Sequence, residues 1–246
     1  MGKNNFQAKL REIKKITGKI ILETGLHIGA GETEMHIGGT DNPVVKHPFT
    51  HEPYIPGSSL KGKVRSLLEM RSGLLPKNPD PKRPLSAEIL KKDLSKEEEE
   101  VALKILKLFG ASGADAEAKE AFGLGPTRAS FSDCFITEDC REKARRGEIV
   151  LTEVKAENTI NRITGTAVHP HFTERVPAGV EFEFSITLKI FEGDERLEEF
   201  LLEGLKLLEY DVLGGSGSRG YGRVRFKFDN SEIDQRFQAM NPFSRA

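Results

Sequence analysis

The feature that most constrains the fold of this chain is the stretch 180–190, in which apolar and polar residues alternate without a break. Successive side chains of a β-strand point to opposite faces, so this alternation predicts a strand with one buried and one solvated face. Such one-sided strands are typical of antiparallel sheets that carry helices on a single face. The apolar members of the alternation are Val180, Phe182, Phe184, Ile186, Leu188 and Ile190.

The other periodic segments give an order of strand, helix, strands, helix and strand. The stretch 57–71 carries its apolar residues on one helical stripe, and so does 195–210. This order predicts an α+β fold, a ferredoxin-like antiparallel sheet with helices on one face. The predicted strands cover 13–29, 128–136, 148–154, 180–190 and 223–228, and the predicted helices cover 57–71 and 195–210.

Three excursions interrupt this core. Residues 30–56 are dense in Gly, Asn, Pro and Thr and lack periodicity, which predicts a long irregular segment of the kind that is usually functional or mobile. Residues 72–126 begin with a Pro-rich stretch, 72–86, that we interpret as a linker, and continue with a helix whose capping box starts at Ser95. We expect this insertion to lie outside the core. The polar segment 155–179 is interpreted as a projecting hairpin.

The charge balance argues against a simple nucleic-acid-binding domain. The 246 residues carry a net charge of −1, whereas a chain that binds nucleic acid alone usually has a basic balance. Any such binding must therefore depend on local patches. No apolar run is long enough to span a membrane. The two cysteines, Cys134 and Cys140, are too few for a disulfide framework and predict reduced thiols in a cytoplasm.

The sequence PGSSLKGKVR, residues 56–65, contains a partial phosphate-binding motif. Its glycines and lysine have the spacing of a P-loop, but Val64 stands where the metal-binding Ser or Thr is required, which argues against nucleotide hydrolysis. A helix that starts here still offers free N–H groups and a positive dipole end to an anion. We expect either a phosphate-binding helix start or an ordinary amphipathic helix with a solvated basic face. The residues concerned are Ser58 and Ser59, either of which can serve as the N-cap, and Lys61, Lys63 and Arg65.

The sequence LGGSGSRGYGR, residues 213–223, contains a G-x-G-x-x-G pattern. The pattern follows a helix and precedes a strand, which is the reverse of the dinucleotide-binding order, so we reject a Rossmann-type site. Its glycines allow positive φ angles and close approach to a ligand. Arg219 can contact a phosphate, and Tyr221 can offer a stacking face. These features favour a ligand-binding loop over a flexible connection.

Two isolated residues are further candidates. His27, predicted at the end of the first strand, can contact a phosphate or a base, or it can be a satisfied loop histidine. Asp41, within GGTDNPV, favours an Asx-type turn, although a lone exposed carboxylate can also hold a divalent ion or position a reacting hydroxyl. The sequence shows no Ser/His/Asp set and no pair of carboxylates with a recognisable catalytic spacing.

Several of these segments, taken in order, resemble one known family. The chain is similar, from about residue 13 to residue 228, to the multi-copy backbone subunit of type III-A (Csm) CRISPR complexes, in the RAMP superfamily. The combination of IGGTDNPV with ENTINR is the most specific part of the resemblance. The segments that carry it are LETGLHIG, IGGTDNPV, YIPGSSLKGKVRSLLE, EVKAENTINRITGTA and LGGSGSRGYGRV.

The resemblance implies a single domain with an RRM-like, ferredoxin-type palm and several insertions. It places a flexible catalytic loop at 30–56, a helical lid at 72–126, a thumb at 155–179 and a C-terminal tail at 229–246. The palm then covers about 13–29, 57–71, 127–154 and 180–228.

The resemblance also implies a function. Copies of the chain stack as a filament along guide RNA (crRNA) with other Csm subunits, and no membrane is involved. A thumb from each copy interrupts the guide–target duplex at regular intervals, and target RNA is cut beside each interruption with a divalent metal, Mg²⁺ or Mn²⁺. The catalytic aspartate falls on Asp41, which either binds the metal or fixes the geometry of the 2′-hydroxyl. The expected RNA-binding residues are His27, Ser58, Ser59, Lys61, Lys63, Arg65, Asn158, Arg162, Gly215, Ser216, Gly217, Ser218, Arg219 and Tyr221.

Two other functions stay open at this point. One is a non-catalytic RNA-binding scaffold beside a different cutting subunit, and the other is a RAMP nuclease that processes repeat RNA as an isolated monomer. Evenly spaced cuts along the target, one for each copy, favour the catalytic filament over the scaffold. Incubation of the purified chain with repeat RNA tests the third function.

Overall fold

The computed structural model describes residues 8–31, 42–112 and 115–244. The strands are β1 (Leu10–Leu22), β2 (Ala129–Phe131), β3 (Phe135–Ile136), β4 (Glu153–Ile160), β5 (Ala167–Arg175), β6 (Glu181–Phe191) and β7 (Val224–Phe228). The α-helices are α1 (Gly57–Ser72), α2 (Lys96–Phe109), α3 (Ala116–Ala121), α4 (Glu138–Arg145), α5 (Leu197–Tyr210) and α6 (Ser231–Ala239). Short 3₁₀ turns lie at Leu75–Lys77, Ala87–Lys91 and Gly217–Arg219.

The main sheet has the strand order β2-β6-β1-β7, and β3 pairs with β6 beside β2. All of these pairings are antiparallel. The first and last strands of the core therefore lie side by side, with β6 on the other edge of β1. This is the topology of a ferredoxin-like βαββαβ unit, and it confirms the predicted fold class.

The predicted alternation decides which side of the sheet is buried. On β6, Phe184 is buried while its neighbour Glu183 is exposed. Phe184 packs edge-to-face against Phe226 and Phe228 of β7, with both ring-centroid distances at 5.5 Å. A Cβ on Gly18 of β1 would lie 2.9 Å from the Phe184 ring and 2.2 Å from a backbone oxygen of β7. Only glycine allows the aromatic cluster to approach β1 this closely.

Helices α1 and α5 pack against each other. A Cβ on Gly204 of α5 would already lie 2.7 Å from Val64 Cγ1 and 2.8 Å from Leu68 Cδ1 of α1. The predicted apolar stripes of both helices are buried in the common core. This packing brings the first half of α1 close to the end of α5. The Lys63 Nζ consequently lies 2.7 Å from Asp211 Oδ2.

The insertion 72–126 was expected to lie outside the core, and this expectation is wrong. Its apolar residues belong to the same continuous hydrophobic cluster as those of the sheet. The Pro-rich stretch is not a free linker either, since the Asn78 side-chain amide donates to three backbone carbonyls within it. The capping box at Ser95 is confirmed, with both reciprocal hydrogen bonds to Glu98 present. The buried members include Leu74, Leu85, Ile89, Ala102, Ile105, Leu106 and Phe109.

Several predicted boundaries also change. The first strand ends at Leu22 rather than at 29, and β4 begins at Glu153 in a separate two-stranded sheet, so no palm strand occupies 148–154. Helix α4 was missed because only Cys140 of its residues is buried, which leaves no apolar stripe to detect. Residues 42–55, expected to be irregular, form bridges such as that between Lys46 and Pro53.

The structure also bears on cysteine chemistry and on membranes. Cys134 and Cys140 are free and buried. Burial, with a smaller contribution from the nearby Asp133 carboxylate, raises the pKa of the Cys134 thiol to about 12, so this thiol is unreactive near neutral pH.

Among the helices that the structure describes, none combines the length and the apolar character needed to cross a membrane.

Candidate nucleic-acid interface

Three segments that the sequence singled out as candidates meet at the segment 25–30, which follows β1. Leu26 exchanges two backbone hydrogen bonds of 2.8 Å with Val176, at the end of the hairpin formed by β4 and β5. Gly29 pairs with Val44, on the strand-like piece 42–46. The base of the hairpin and the piece that follows Asp41 in sequence are therefore held against the same short segment.

The Gly-rich loop 213–223 is the third segment at this crossing. The Gly215 N–H donates to the His27 carbonyl at 2.8 Å, and the Gly222 N–H donates to the Gly25 carbonyl at 2.9 Å. Gly214 has a φ of 77°, and a Cβ there would lie 2.3 Å from the His27 oxygen. The predicted positive φ angles are confirmed, and the close approach that needs glycine here is to the protein's own backbone.

The sequence predicted His27 at the end of the first strand. In the structure β1 ends at Leu22, and His27 lies within this crossing instead. Its Nδ1 is 2.7 Å from the Glu174 carbonyl oxygen. Because a carbonyl oxygen can only accept, Nδ1 carries a proton and donates in this contact. The half-buried ring is therefore oriented by the hairpin. Its predicted contact with RNA stays a prediction.

The predicted projecting hairpin is confirmed as β4 paired with β5, and it packs on Tyr221. The Tyr221 ring is fully buried, with Lys155 Nζ 4.7 Å and the Arg175 guanidinium 4.9 Å from its centroid. Its hydroxyl donates to Glu157 Oε1 at 3.1 Å. Burial and the Glu157 carboxylate raise the pKa of Tyr221. The predicted stacking face for a base is therefore wrong, since Tyr221 docks the hairpin onto the Gly-rich loop instead.

Arg219 has an environment that fits its predicted phosphate contact. Its Nη1 donates to Glu157 Oε2 at 2.6 Å, yet 63% of the side chain is exposed, so other guanidinium N–H groups face solvent. Burial alone would raise the pKa of Glu157, but hydrogen bonds from Tyr221 and Arg219 outweigh it and lower the pKa. The loop around Arg219 turns through left-handed residues at Ser216 and Gly220, while Ser218 is exposed and Gly217 packs on Val212.

The start of α1 differs from the sequence prediction. The N-cap is Pro56, and neither Ser58 nor Ser59 caps the helix, because both lie inside its first turn. The Gly57 N–H donates instead to Asp133 Oδ1 at 2.8 Å. A carboxylate from the β2–β3 connection thus takes one of the N–H groups that a phosphate could otherwise occupy. Ser58 is exposed and Ser59 half-exposed.

Arg65, predicted to contact RNA, is used inside the protein. Its Nε donates to Glu69 Oε1 at 2.6 Å, Nη1 to the Gly110 carbonyl at 3.1 Å and Nη2 to the Leu85 carbonyl at 2.8 Å. Glu69 is itself buried. This network joins α1 to the insertion, and it corrects the assignment of Arg65 from ligand binding to structure.

The two lysines of the motif differ in whether they have an acidic partner within the protein. Lys63 is paired with Asp211, which lies just before the Gly-rich loop. Lys61 is half-buried and makes no hydrogen bond or ion pair with any residue of 8–31, 42–112 and 115–244. Burial, and then the positive charge of Arg65, lower the pKa of Lys61. A cation without a counter-charge in this position favours an external anion.

The far end of the hairpin presents polar and apolar groups to solvent. Asn158 lies at an irregularity of the β4–β5 ladder, and Arg162 lies in the exposed turn without a hydrogen bond or ion pair to another described residue. The turn is organised by Asn161, whose Oδ1 accepts from the Ile163 and Thr164 N–H groups at 2.9 and 3.2 Å. Sequence reasoning missed Asn161, although an Asn two residues before such a turn is a known Asx signal.

Asp41, the predicted catalytic residue, lies outside the described residues. The next residue, Asn42, pairs with Thr173 of β5, and its carbonyl accepts from the Glu174 N–H at 3.1 Å. Within the part of the chain that the structure describes, no three His, Cys, Asp or Glu side chains come together as a metal site.

Comparisons with known proteins place this geometry in a family. A family model described as the RAMP superfamily matches residues 19–225. The "CRISPR system Cms endoribonuclease Csm3" of Methanothermobacter thermautotrophicus is 40% identical over 234 residues, which cover 90% of this chain and 85% of that protein.

Solved structures agree with this. The crystal structure of Methanopyrus kandleri Csm3 has 25% identity and a TM-score of 0.56, over 89% of this chain and 76% of that chain. A chain of the "Csm3-Csm4 subcomplex in the type III-A CRISPR-Cas interference complex" has 27% identity and a TM-score of 0.51, and the match covers 94% of this chain and 86% of that chain. The chain therefore belongs to the RAMP superfamily and, within it, to the Csm3 family.

Proposed function

We propose that this chain is a guide-RNA-binding backbone subunit of a type III-A CRISPR ribonucleoprotein and that it cuts target RNA at regular intervals. The observation that carries the proposal is the meeting of three segments at residues 25–30 in a member of the Csm3 family. These segments are the Gly-rich loop, the base of the thumb hairpin β4–β5, and the piece 42–46 that follows Asp41. Guide contacts and the cutting residue would then share one structural support.

Guide RNA is held through its backbone in this proposal. Lys61 has no counter-charge among the residues that the structure describes, and Arg219 keeps most of its side chain in solvent beside the Gly-rich loop. Such groups bind phosphates without reading bases, so the sequence of the target is read by pairing with the guide. The exposed turn that carries Arg162 is the part of the thumb that contacts the guide–target duplex.

Cutting is assigned to Asp41 with a divalent ion, Mg²⁺ or Mn²⁺. When bound, such an ion supplies positive charge to the phosphate that is attacked. A single carboxylate is sufficient if RNA oxygens complete the shell. The alternative, in which Asp41 fixes the 2′-hydroxyl without touching the ion, uses the same residue in the same place.

The partners follow from the same proposal. The chain binds guide and target RNA, further copies of itself and other Csm subunits, in a cytoplasm where its two buried thiols stay reduced. Purification of the complex from its host should therefore yield several copies of the chain with RNA of defined length. Recovery of the chain alone and free of RNA would contradict this assembly.

The decisive test is Asp41→Ala in a reconstituted complex with guide RNA. We expect target cutting to be abolished while guide affinity stays within about two-fold of wild type, because Asp41 is not needed for the phosphate contacts. The matched control is Asp93→Ala, which removes an exposed carboxylate from the insertion. Asp41→Ala complexes that still cut at evenly spaced positions and at the normal rate would refute the assignment.

A further inference from the structure

Glu174, on β5 at the base of the thumb, is a buried carboxylate with two bound partners on the neighbouring piece 42–46. It is only 7% exposed. Its Oε2 accepts from the Val44 N–H at 3.0 Å, and its Oε1 accepts from Lys46 Nζ at 2.6 Å. Neither the Gly-rich loop nor the palm sheet supplies these partners.

The backbone of Glu174 makes two further links at the same place. Its N–H donates to the Asn42 carbonyl at 3.1 Å, and its carbonyl accepts from His27 Nδ1 at 2.7 Å. A single residue therefore ties the piece 42–46 at three points and also orients the histidine at the crossing of the segments.

The charge of Glu174 is maintained by these contacts. Burial alone would raise the pKa of Glu174, but the hydrogen bonds from Lys46 and Val44 outweigh it and hold the pKa below its ordinary value. A buried carboxylate is costly unless it is paired and hydrogen-bonded, so an apolar residue would fill this space at lower cost. Unlike an apolar side chain, the carboxylate can accept directional hydrogen bonds from one backbone N–H and one ammonium group.

We infer that Glu174 is a positioning residue for target-RNA cutting, which holds Asn42 and Val44 and thereby the chain end to which Asp41 is joined. The inference rests on the proposed role of Asp41. Asn42 follows Asp41 directly in the sequence, and consecutive Cα atoms are about 3.8 Å apart, so the anchoring of Asn42 limits the volume that the Asp41 Cα can reach. Glu174 itself does not touch RNA or the reacting atoms in this role.

The first test is Glu174→Gln in the reconstituted complex. The amide keeps the shape of the side chain but loses the charge that pairs with Lys46. A misplacement of about 1 Å at a reacting group costs on the order of 100-fold in rate, so we expect single-turnover cutting to slow by about 10- to 100-fold. Guide affinity should stay within about two-fold of wild type, because no guide phosphate is contacted by Glu174. A residue that served only general stability would lower cutting and guide binding together.

Two further variants separate positioning from folding. Lys46→Met removes the ammonium group and leaves the Glu174–Val44 hydrogen bond, so we expect cutting slower than wild type with guide affinity unchanged. The double variant should be no slower than Glu174→Gln alone, since both act through one contact. The matched control is Glu153→Gln on the same hairpin, whose carboxylate binds Arg175 Nε at 2.7 Å and does not reach 42–46. Its cutting rate should stay within about two-fold of wild type.

The outcomes distinguish this inference from the proposed function. Cutting at the wild-type rate in Glu174→Gln, when Asp41→Ala is inactive, overturns the role of Glu174 and leaves the function of Asp41 standing. Normal cutting by Asp41→Ala overturns the proposed function itself. If Glu174→Gln fails to assemble, Lys46→Met decides, and a wild-type rate for that variant overturns the inference.

Discussion

Lys61 is the residue whose predicted contact with RNA can be tested most directly. Its ammonium group is half-buried beside Arg65 and lacks a counter-charge among the described residues. Lys61→Ala therefore removes a cation without stranding an anion inside the protein. Lys63 and Arg65 do not offer this advantage, because each is paired with an acidic side chain.

The expected loss follows from one phosphate contact. A hydrogen bond to a charged group contributes about 1.5–3 kcal/mol, and each 1.4 kcal/mol is about ten-fold in Kd. Because Lys61 is only half-buried, we expect the lower end of that range, about 10-fold weaker binding of single-stranded guide RNA. One phosphate contact fewer should also reduce the slope of log K against log salt by about 0.7.

The assay is the binding of purified full-length chain to guide-length RNA at several KCl concentrations, with two unrelated RNA sequences. Lys61→Ala should weaken both sequences equally and give the shallower slope. Lys92→Ala, which removes an exposed lysine from the insertion, serves as the control. A loss confined to one sequence, or an unchanged salt slope, would refute the phosphate contact.

Three other predictions concern ion pairs and hydrogen bonds that stabilise the fold. Arg65→Met leaves the buried carboxylate of Glu69 without its cation, so thermal or urea unfolding should show a loss of about 3–5 kcal/mol, while the folded fraction binds guide RNA normally. Tyr221→Phe deletes one hydrogen bond to a carboxylate and should lower the free energy of unfolding by about 1.5–3 kcal/mol, measured in the same way. Burial would raise the pKa of Asp194, but its bonds to Arg128 and Lys107 lower it. The stability that Asp194 adds over Asp194→Asn is thus present above about pH 4 and should shrink in urea titrations as pH falls below it.

The sequence was informative where local periodicity controls the structure. The alternation at 180–190 identified β6 and its buried face, and the spacing of Ser95 and Glu98 located the start of α2. The polar segment 155–179 was correctly interpreted as a hairpin, which β4 and β5 form. In each case the pattern depends on neighbours within a few residues, which is the range over which side-chain periodicity carries information.

The sequence was uninformative where the destination of a side chain is set by distant segments. Tyr221 and Arg219 lie two residues apart, yet one is fully buried and the other is mostly exposed. That difference is decided by Glu157, Lys155 and Arg175 of the thumb, which no local motif links to the Gly-rich loop. The basic character of an Arg or Lys side chain does not show whether it contacts an RNA phosphate or forms a hydrogen bond within the protein.

The two strands of the thumb hairpin hold different parts of the site. On β4, Glu157 accepts from Arg219 and Tyr221 and fixes the Gly-rich loop. On β5, Glu174 accepts from Val44 and Lys46 and fixes the piece that follows Asp41. Because β4 and β5 are one hydrogen-bonded ladder, the distance between these two anchors is set by the register of the hairpin. A change in that register would therefore shift the guide-binding loop and the piece 42–46 relative to each other, whereas a change at the exposed turn would leave their spacing intact.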